Sequence, residues 1–170
     1  FGLILGSEHS SLAVRSAALE LRLGKLGSWY TILTASDYVF FGTASKLYKI
    51  FKEHLQAQRE QPPWKRCKIV IVNMYDVYGI DATAASVFAK LARLAQAERI
   101  QLVFAGLSAS VEKRLTVLGM LQGLRFDDPD VAEKWAEDTL LLRAHTLVAR
   151  WLVDPNTRLV YNKAMLHDAL

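Results

Sequence analysis

The chain has 170 residues, 52% of them hydrophobic and 22% charged, which excludes a disordered or fibrous protein and suits one domain with a core plus an extension. Its 21 basic and 17 acidic residues give a net charge of +4, but the basic ones are scattered and no finger, basic-zipper or RNA-binding signature accompanies them, so no nucleic-acid partner is expected. The single cysteine, Cys67, excludes an internal disulfide and points to a reducing compartment.

In chain order, Leu12, Arg15, Ala18, Leu19 and Arg22 recur at helical spacing and predict a helix over 10–23, capped by Ser10 or Ser11 and ended by Gly24. Residues 28–39, rich in aromatic and β-branched types, predict a strand with a bend near Asp37. Phe40-Phe41-Gly42-Thr43 leads into a helix whose apolar positions are Leu47, Ile50, Phe51 and Leu55. Adjacent aromatics on a strand point to opposite faces, so at least one of Phe40 and Phe41 is expected in the core. Residues 56–66, with Pro62-Pro63, predict a loop.

The most informative stretch is 67–105. Residues 67–74 predict a strand without polar alternation from Ile69 to Val72, as in a central strand covered on both faces. A turn around Gly79 and the run Ile80-Asp81-Ala82-Thr83 then open a helix to about Ala97, with Ala84, Val87 or Phe88, Leu91 and Ala95 inward. A second buried strand is predicted over 100–105. A helix capped by Ser108 or Ser110 comes next, its stripe Val111, Leu115 and Leu118, stopped by Gly119. Residues 121–126 are compatible with a short edge strand. Asp128-Pro129 reads as a cap and the first helical position, with Val131, Trp135 and Thr139 or Leu140 inward and the helix running to about Val153. Asp154-Pro155-Asn156-Thr157 then turns the chain into a short strand or second helix.

Strands alternating with helices predict an α/β fold. Chemistry is sparse. One cysteine and the scattered His9, His54, His145 and His167 offer no metal-ligand spacing. There is no nucleophile elbow, phosphate loop or dinucleotide fingerprint, and Asp127, Asp128 and Asp130 fit the acidic first turn of a helix. No enzyme, cofactor or metal site is expected. No apolar run is long enough for a membrane span. Asp81 and Thr83 stand out because a carboxylate and a hydroxyl at a strand-to-helix turn either cap the helix or shape a phosphate or partner-docking site.

Around that turn the sequence resembles a STAS domain, the module shared by sulfate-permease-type (SulP) anion transporters and anti-sigma-factor antagonists. The resemblance rests on the buried strand, Ile80-Asp81-Ala82-Thr83, the strand ending at Gly106, and Leu115-Thr116-Val117-Leu118-Gly119. Tyr38-Val39-Phe40-Phe41-Gly42-Thr43-Ala44 and the run from Phe126-Asp127-Asp128-Pro129 to Trp135-Ala136-Glu137 are similar to motifs of the transporter branch. The pattern departs at Ala82, where serine is commonest, and the hydroxyl phosphorylated in the antagonist branch falls on Thr83.

The resemblance implies a STAS fold, a central mixed β-sheet of four to six strands with helices packed on it. It implies a helical lead-in over 1–27 from a preceding membrane domain, the STAS domain over 28–143, and a C-terminal extension or connector over 144–170. The chain, beginning at Phe1, then reads as a piece of a longer protein. Its expected role is a non-catalytic regulatory and interaction domain on the cytoplasmic face of a membrane anion transporter. Expected partners are the transmembrane domain of the same parent chain, another STAS domain as a homodimer, or a regulatory protein. The alternatives are a soluble antagonist-type switch phosphorylated at Thr83 and a sensor for a nucleotide or other small ligand.

Overall fold

The computed structural model describes residues 2–119, 121 and 123–153, without the side chains of residues 64 and 149–153. The predicted turn at 154–157, the short strand or second helix expected after it, and His167 lie outside the described residues. Five strands form one sheet in the order β1-β2-β3-β4-β5: β1 (Gly2–Leu5), β2 (Tyr30–Val39), β3 (Ile69–Ile80), β4 (Gln101–Ala105) and β5 (Leu124–Phe126). The helices are α1 (Ala17–Leu26), α2 (Phe41–Gln58), α3 (Ala82–Ala97), α4 (Ala109–Val117) and α5 (Pro129–Val153). β1 runs antiparallel to β2, and β2 to β5 are parallel, so the sheet is mixed as expected.

The period-two alternation of strand side chains divides the core between the two faces of this sheet. Val70, Val72, Met74, Leu102 and Phe104 pack with Leu47 and Phe51 of α2, Phe88 and Leu91 of α3, and Val111 and Leu115 of α4. On the other face Ile32, Ile69, Ile71 and Val103 pack with Ala132, Ala136, Leu140 and Ala144 of α5. Ile69 to Val72 are all fully buried, each such side chain contributing about 1.5–3 kcal/mol relative to exposure. This is the doubly covered central strand that the uninterrupted apolar run predicts.

Four expectations are corrected. Residues 10–16 are not helical, and α1 starts at Ala17 and runs through Gly24 to Leu26. The reason is competition for the backbone. The Ser11 amide donates to Glu137 and the Leu12 amide to Asp130, so α5 carboxylates hold the segment extended, leaving Leu12 and Val14 exposed. Gly79 does not turn the chain, because β3 continues to Ile80. Neither Phe40 nor Phe41 joins the core; β2 ends at Val39, and both rings flank the start of α2 in solvent. In α5 and at the end of α4, Val131 and Leu118 face solvent, and Ala132 takes the inward place expected of Val131. Alanines let α5 lie close to the sheet but give little hydrophobic signal in a sequence.

Candidate functional site

Beyond Asn73, β3 outruns β4 and pairs with β2 alone. The register of this two-stranded extension shifts twice, between Thr34 and Ser36 and between Asp37 and Tyr38, each time with an extra residue on β3. Such bulges break the two-residue alternation. Met74, Val77 and Ile80, three apart, are buried, while Tyr75, Asp76 and Tyr78 are turned out. Asp37 takes a left-handed conformation, φ 65°, which aspartate tolerates better than most residues. Gly79 sits beneath the Tyr38 ring, where a Cβ would come within 2.7 Å of it.

The Asp81–Thr83 turn closes this extension. The Asp81 amide donates to the Val39 carbonyl at 3.1 Å, fastening the start of α3 to the end of β2. Asp81 is the cap of α3: its Oδ1 accepts from the Ala84 amide at 2.5 Å and from the Thr83 hydroxyl at 2.6 Å. Those donors, the Thr83 hydroxyl first, hold the Asp81 carboxyl below its ordinary pKa, with the Phe41 amide adding a smaller pull. The two singled-out residues are therefore brought together, with Thr83 exposed in the first turn of α3. Along the extension and at its end stand Tyr38, Phe40, Phe41, Tyr75 and Tyr78, all exposed, with Tyr38 and Tyr78 in a tilted pair 6.0 Å apart.

Cys67 lies elsewhere, buried at the foot of β3. Its thiol donates to the Ile69 carbonyl at 3.1 Å and approaches the Thr31 hydroxyl at 3.6 Å, and burial pushes its pKa up to about 11. A neutral, enclosed thiol is a structural group, not a nucleophile. His54, half-buried and shifted down by burial, contacts Thr31 and Gln58. Asp128 caps α5 by accepting from the Asp130 amide at 2.7 Å. Among the described residues no group of three or more His, Cys, Asp or Glu side chains is placed to hold a metal ion, and no helix is long and apolar enough to cross a membrane.

A second constellation is one that no motif in the sequence announces. On α5, Glu133 and Glu137 are buried. Glu137 accepts from the Ser11 amide and hydroxyl and pairs with Arg15 at 2.8 Å, while Arg15 also reaches Asp138. Glu133 meets His9 Nδ1 at 2.7 Å, and the Tyr30 hydroxyl donates to the His9 carbonyl at 2.8 Å. Burial raises the Glu133 carboxyl above its usual range, and burial, then the charge of Glu137, raises the Tyr30 phenol. The segment before α1 is thus strapped to α5. The one trace of it in the sequence is the i, i+4 spacing of Glu133 and Glu137 beside Ala132, Ala136 and Leu140.

The sequence matches the family model of the STAS domain over residues 25–132. No curated protein sequence matches the chain. Among solved structures, a sulfate transporter family protein from Wolinella succinogenes is 24% identical, with a TM-score of 0.51 over 62% of this chain and 83% of that one. The anti-sigma factor antagonist SpoIIAA in its unphosphorylated form is 10% identical, with a TM-score of 0.50 over 66% and 90% of the two chains. SLC26A9 is 15% identical, with a TM-score of 0.50, and the match covers 74% of this chain but 21% of SLC26A9. These likenesses show a shared fold, and with the family match over most of its length the chain belongs to the STAS domain family.

Proposed function

We propose that the chain is a cytoplasmic regulatory and interaction domain of a SulP-type membrane anion transporter, acting by contact rather than catalysis. The observation that carries this reading is the set of exposed aromatic side chains along the strand extension that runs past β4 to the Asp81–Thr83 turn. Aromatic side chains left in water at that density are features of contact surfaces. The run from Tyr38 to Ala44, which supplies three of those rings, is also one of the two segments similar to the transporter branch. The fold shared with the sulfate transporter family protein and with part of SLC26A9 supports the same assignment.

In this reading residues 28–143 are the STAS module, 1–27 lead in from the membrane domain, and 144–170 form an extension or connector. The partners are the transmembrane domain of the same parent chain, with a second STAS domain or a regulatory protein as further occupants. The strap of 9–15 on α5 would transmit the position of the lead-in to the body of the domain. The test is alkaline carbonate extraction of membranes from cells making the parent protein. Retention with the bilayer is expected, and release as a soluble protein would overturn the assignment.

A second reading is favoured by the exposure of the Thr83 hydroxyl at the start of α3 and by the fold shared with SpoIIAA. Phosphate at Thr83 would add nearly two negative charges beside Asp81 while lying at the positive end of the helix. These effects oppose each other within the domain, so the consequence would fall on a docked partner. If Thr83→Glu and Thr83→Ala both leave partner binding and transport unchanged, the switch is excluded.

A further inference from the structure

The surface formed by Tyr38, Phe40, Phe41, Tyr75 and Tyr78 carries a second regularity. The rings are 43–69% exposed, and the stretches that build the surface, residues 30–45 and 69–89, contain Asp37, Asp76 and Asp81 but no lysine, arginine or glutamate. This holds in a chain whose net charge is +4. These stretches thus bring no positive charge of their own to the edge, and Asp37 and Asp76 are the chain neighbours of the exposed Tyr38 and Tyr75. We infer that this edge docks a lysine- or arginine-bearing protein segment.

The chemistry of the two halves is complementary. Guanidinium and ammonium groups are attracted both to carboxylates and to the faces of aromatic rings, and their aliphatic stems cover apolar surface. Asp37, Asp76 and Asp81 supply the charge and the tyrosines and phenylalanines the faces. An anionic membrane surface is the poorer occupant, although aromatic rings suit a bilayer interface, because three carboxylates would be pressed against negative headgroups. The inference rests on the transporter reading for the origin of the segment, since cytoplasmic loops of membrane domains carry an excess of lysine and arginine. The docking itself needs only this surface.

The test is an NMR titration of the 15N-labelled 170-residue chain with a synthetic Gly-Ser peptide bearing alternating arginine and lysine, alongside the same peptide with glutamate in their places. The expected result is saturable amide shifts confined to the edge, among them Tyr38, Phe41, Tyr75 and Asp76, weakening as salt rises. Asp37→Asn with Asp76→Asn should weaken binding roughly fivefold, the effect of two exposed ion pairs, and asparagine keeps the left-handed backbone at position 37. Tyr75→Ser with Tyr78→Ser should weaken it further with the remaining spectrum unchanged.

Shifts away from the edge, equal binding of the glutamate peptide, or an unaltered affinity in the double asparagine variant would overturn the proposal. Edge shifts with phosphatidylserine vesicles but not with the basic peptide would overturn it in favour of a lipid surface. Concentration-dependent edge shifts without any peptide, and none with it, would overturn it in favour of a second copy. Each failure leaves the carbonate extraction result standing, and a soluble parent protein would leave the peptide titration standing.

Discussion

The Thr83 hydroxyl and the Ala84 amide donate to the same oxygen of Asp81, at 2.6 and 2.5 Å, so one carboxylate oxygen both starts α3 and holds the exposed hydroxyl in place. Asp81→Ala removes the acceptor of both bonds at once and should lower Tm by about 3 °C. Thr83→Ala leaves the cap bond to Ala84 intact and should lower it by less. Thermal unfolding monitored by circular dichroism separates the two, and equal losses would show that Thr83, not the cap, carries the stability of the turn.

Glu137 has almost no solvent contact and is bound by Ser11 and Arg15. Glu137→Ala should therefore cost about 2–4 kcal/mol, as the buried guanidinium of Arg15 loses one of its two carboxylates. Glu137→Gln retains an acceptor for the Ser11 amide and should cost less. Urea denaturation measures both, and amide exchange at residues 10–15 should quicken in the alanine variant before the rest of the domain opens.

Stability should fall as pH rises from about 9 to 11. The Cys67 thiol is raised to about 11 in the folded chain from an ordinary value of 9.0. Between those values the unfolded state has released a proton that the folded state still holds, so unfolding gains with each step in pH. Tyr30, also raised, extends the loss to higher pH. Lys68, half-buried and lowered mainly by burial, acts in the opposite direction and more weakly. Cys67→Val should flatten the fall by about 2 kcal/mol across that window. An unchanged profile would show that the thiol ionises in the folded protein as readily as in the unfolded one.

Gly106 comes directly after β4 with φ +69°, and a Cβ there would lie 2.7 Å from the Tyr75 Cα. Gly106→Ala combines a strained backbone with a collision against the backbone of β3, and should destabilise by about 2 kcal/mol. Because β3 must shift away, the amide signals of Tyr75 and Tyr78 should move too. Confinement of the change to the α4 side would contradict the close approach.

The parts legible in the sequence are those where a period survives. The inward stripes Leu47, Phe51 and Leu55 of α2 and Ala84, Phe88, Leu91 and Ala95 of α3 show in helical spacing, and the buried run of β3 shows in its lack of alternation. Asp81 is legible as a cap because its type and place suffice. The aromatic surface is not, because two bulges convert a spacing of two into three at Met74, Val77 and Ile80, so Tyr75 and Tyr78 show no pattern. The strap is hidden for another reason: Ser11 and Glu137 are 126 positions apart, and polar partners at that distance leave no periodic trace. β1, four residues of Gly-Leu-Ile-Leu, is too short to alternate visibly.

The most direct test of the central claim is anion uptake by cells making the parent protein, with radiolabelled sulfate as the first substrate, normalised to the copies present in the membrane. The paired variants Tyr75→Ser, Tyr78→Ser leave the buried faces of β3 untouched, so the domain should fold, and the copies delivered to the membrane are counted separately from uptake per copy. A contact-making regulatory domain predicts a clear loss of uptake per copy, or of copies delivered, against the unaltered protein. Wild-type delivery together with wild-type uptake would contradict a role for this surface in transport.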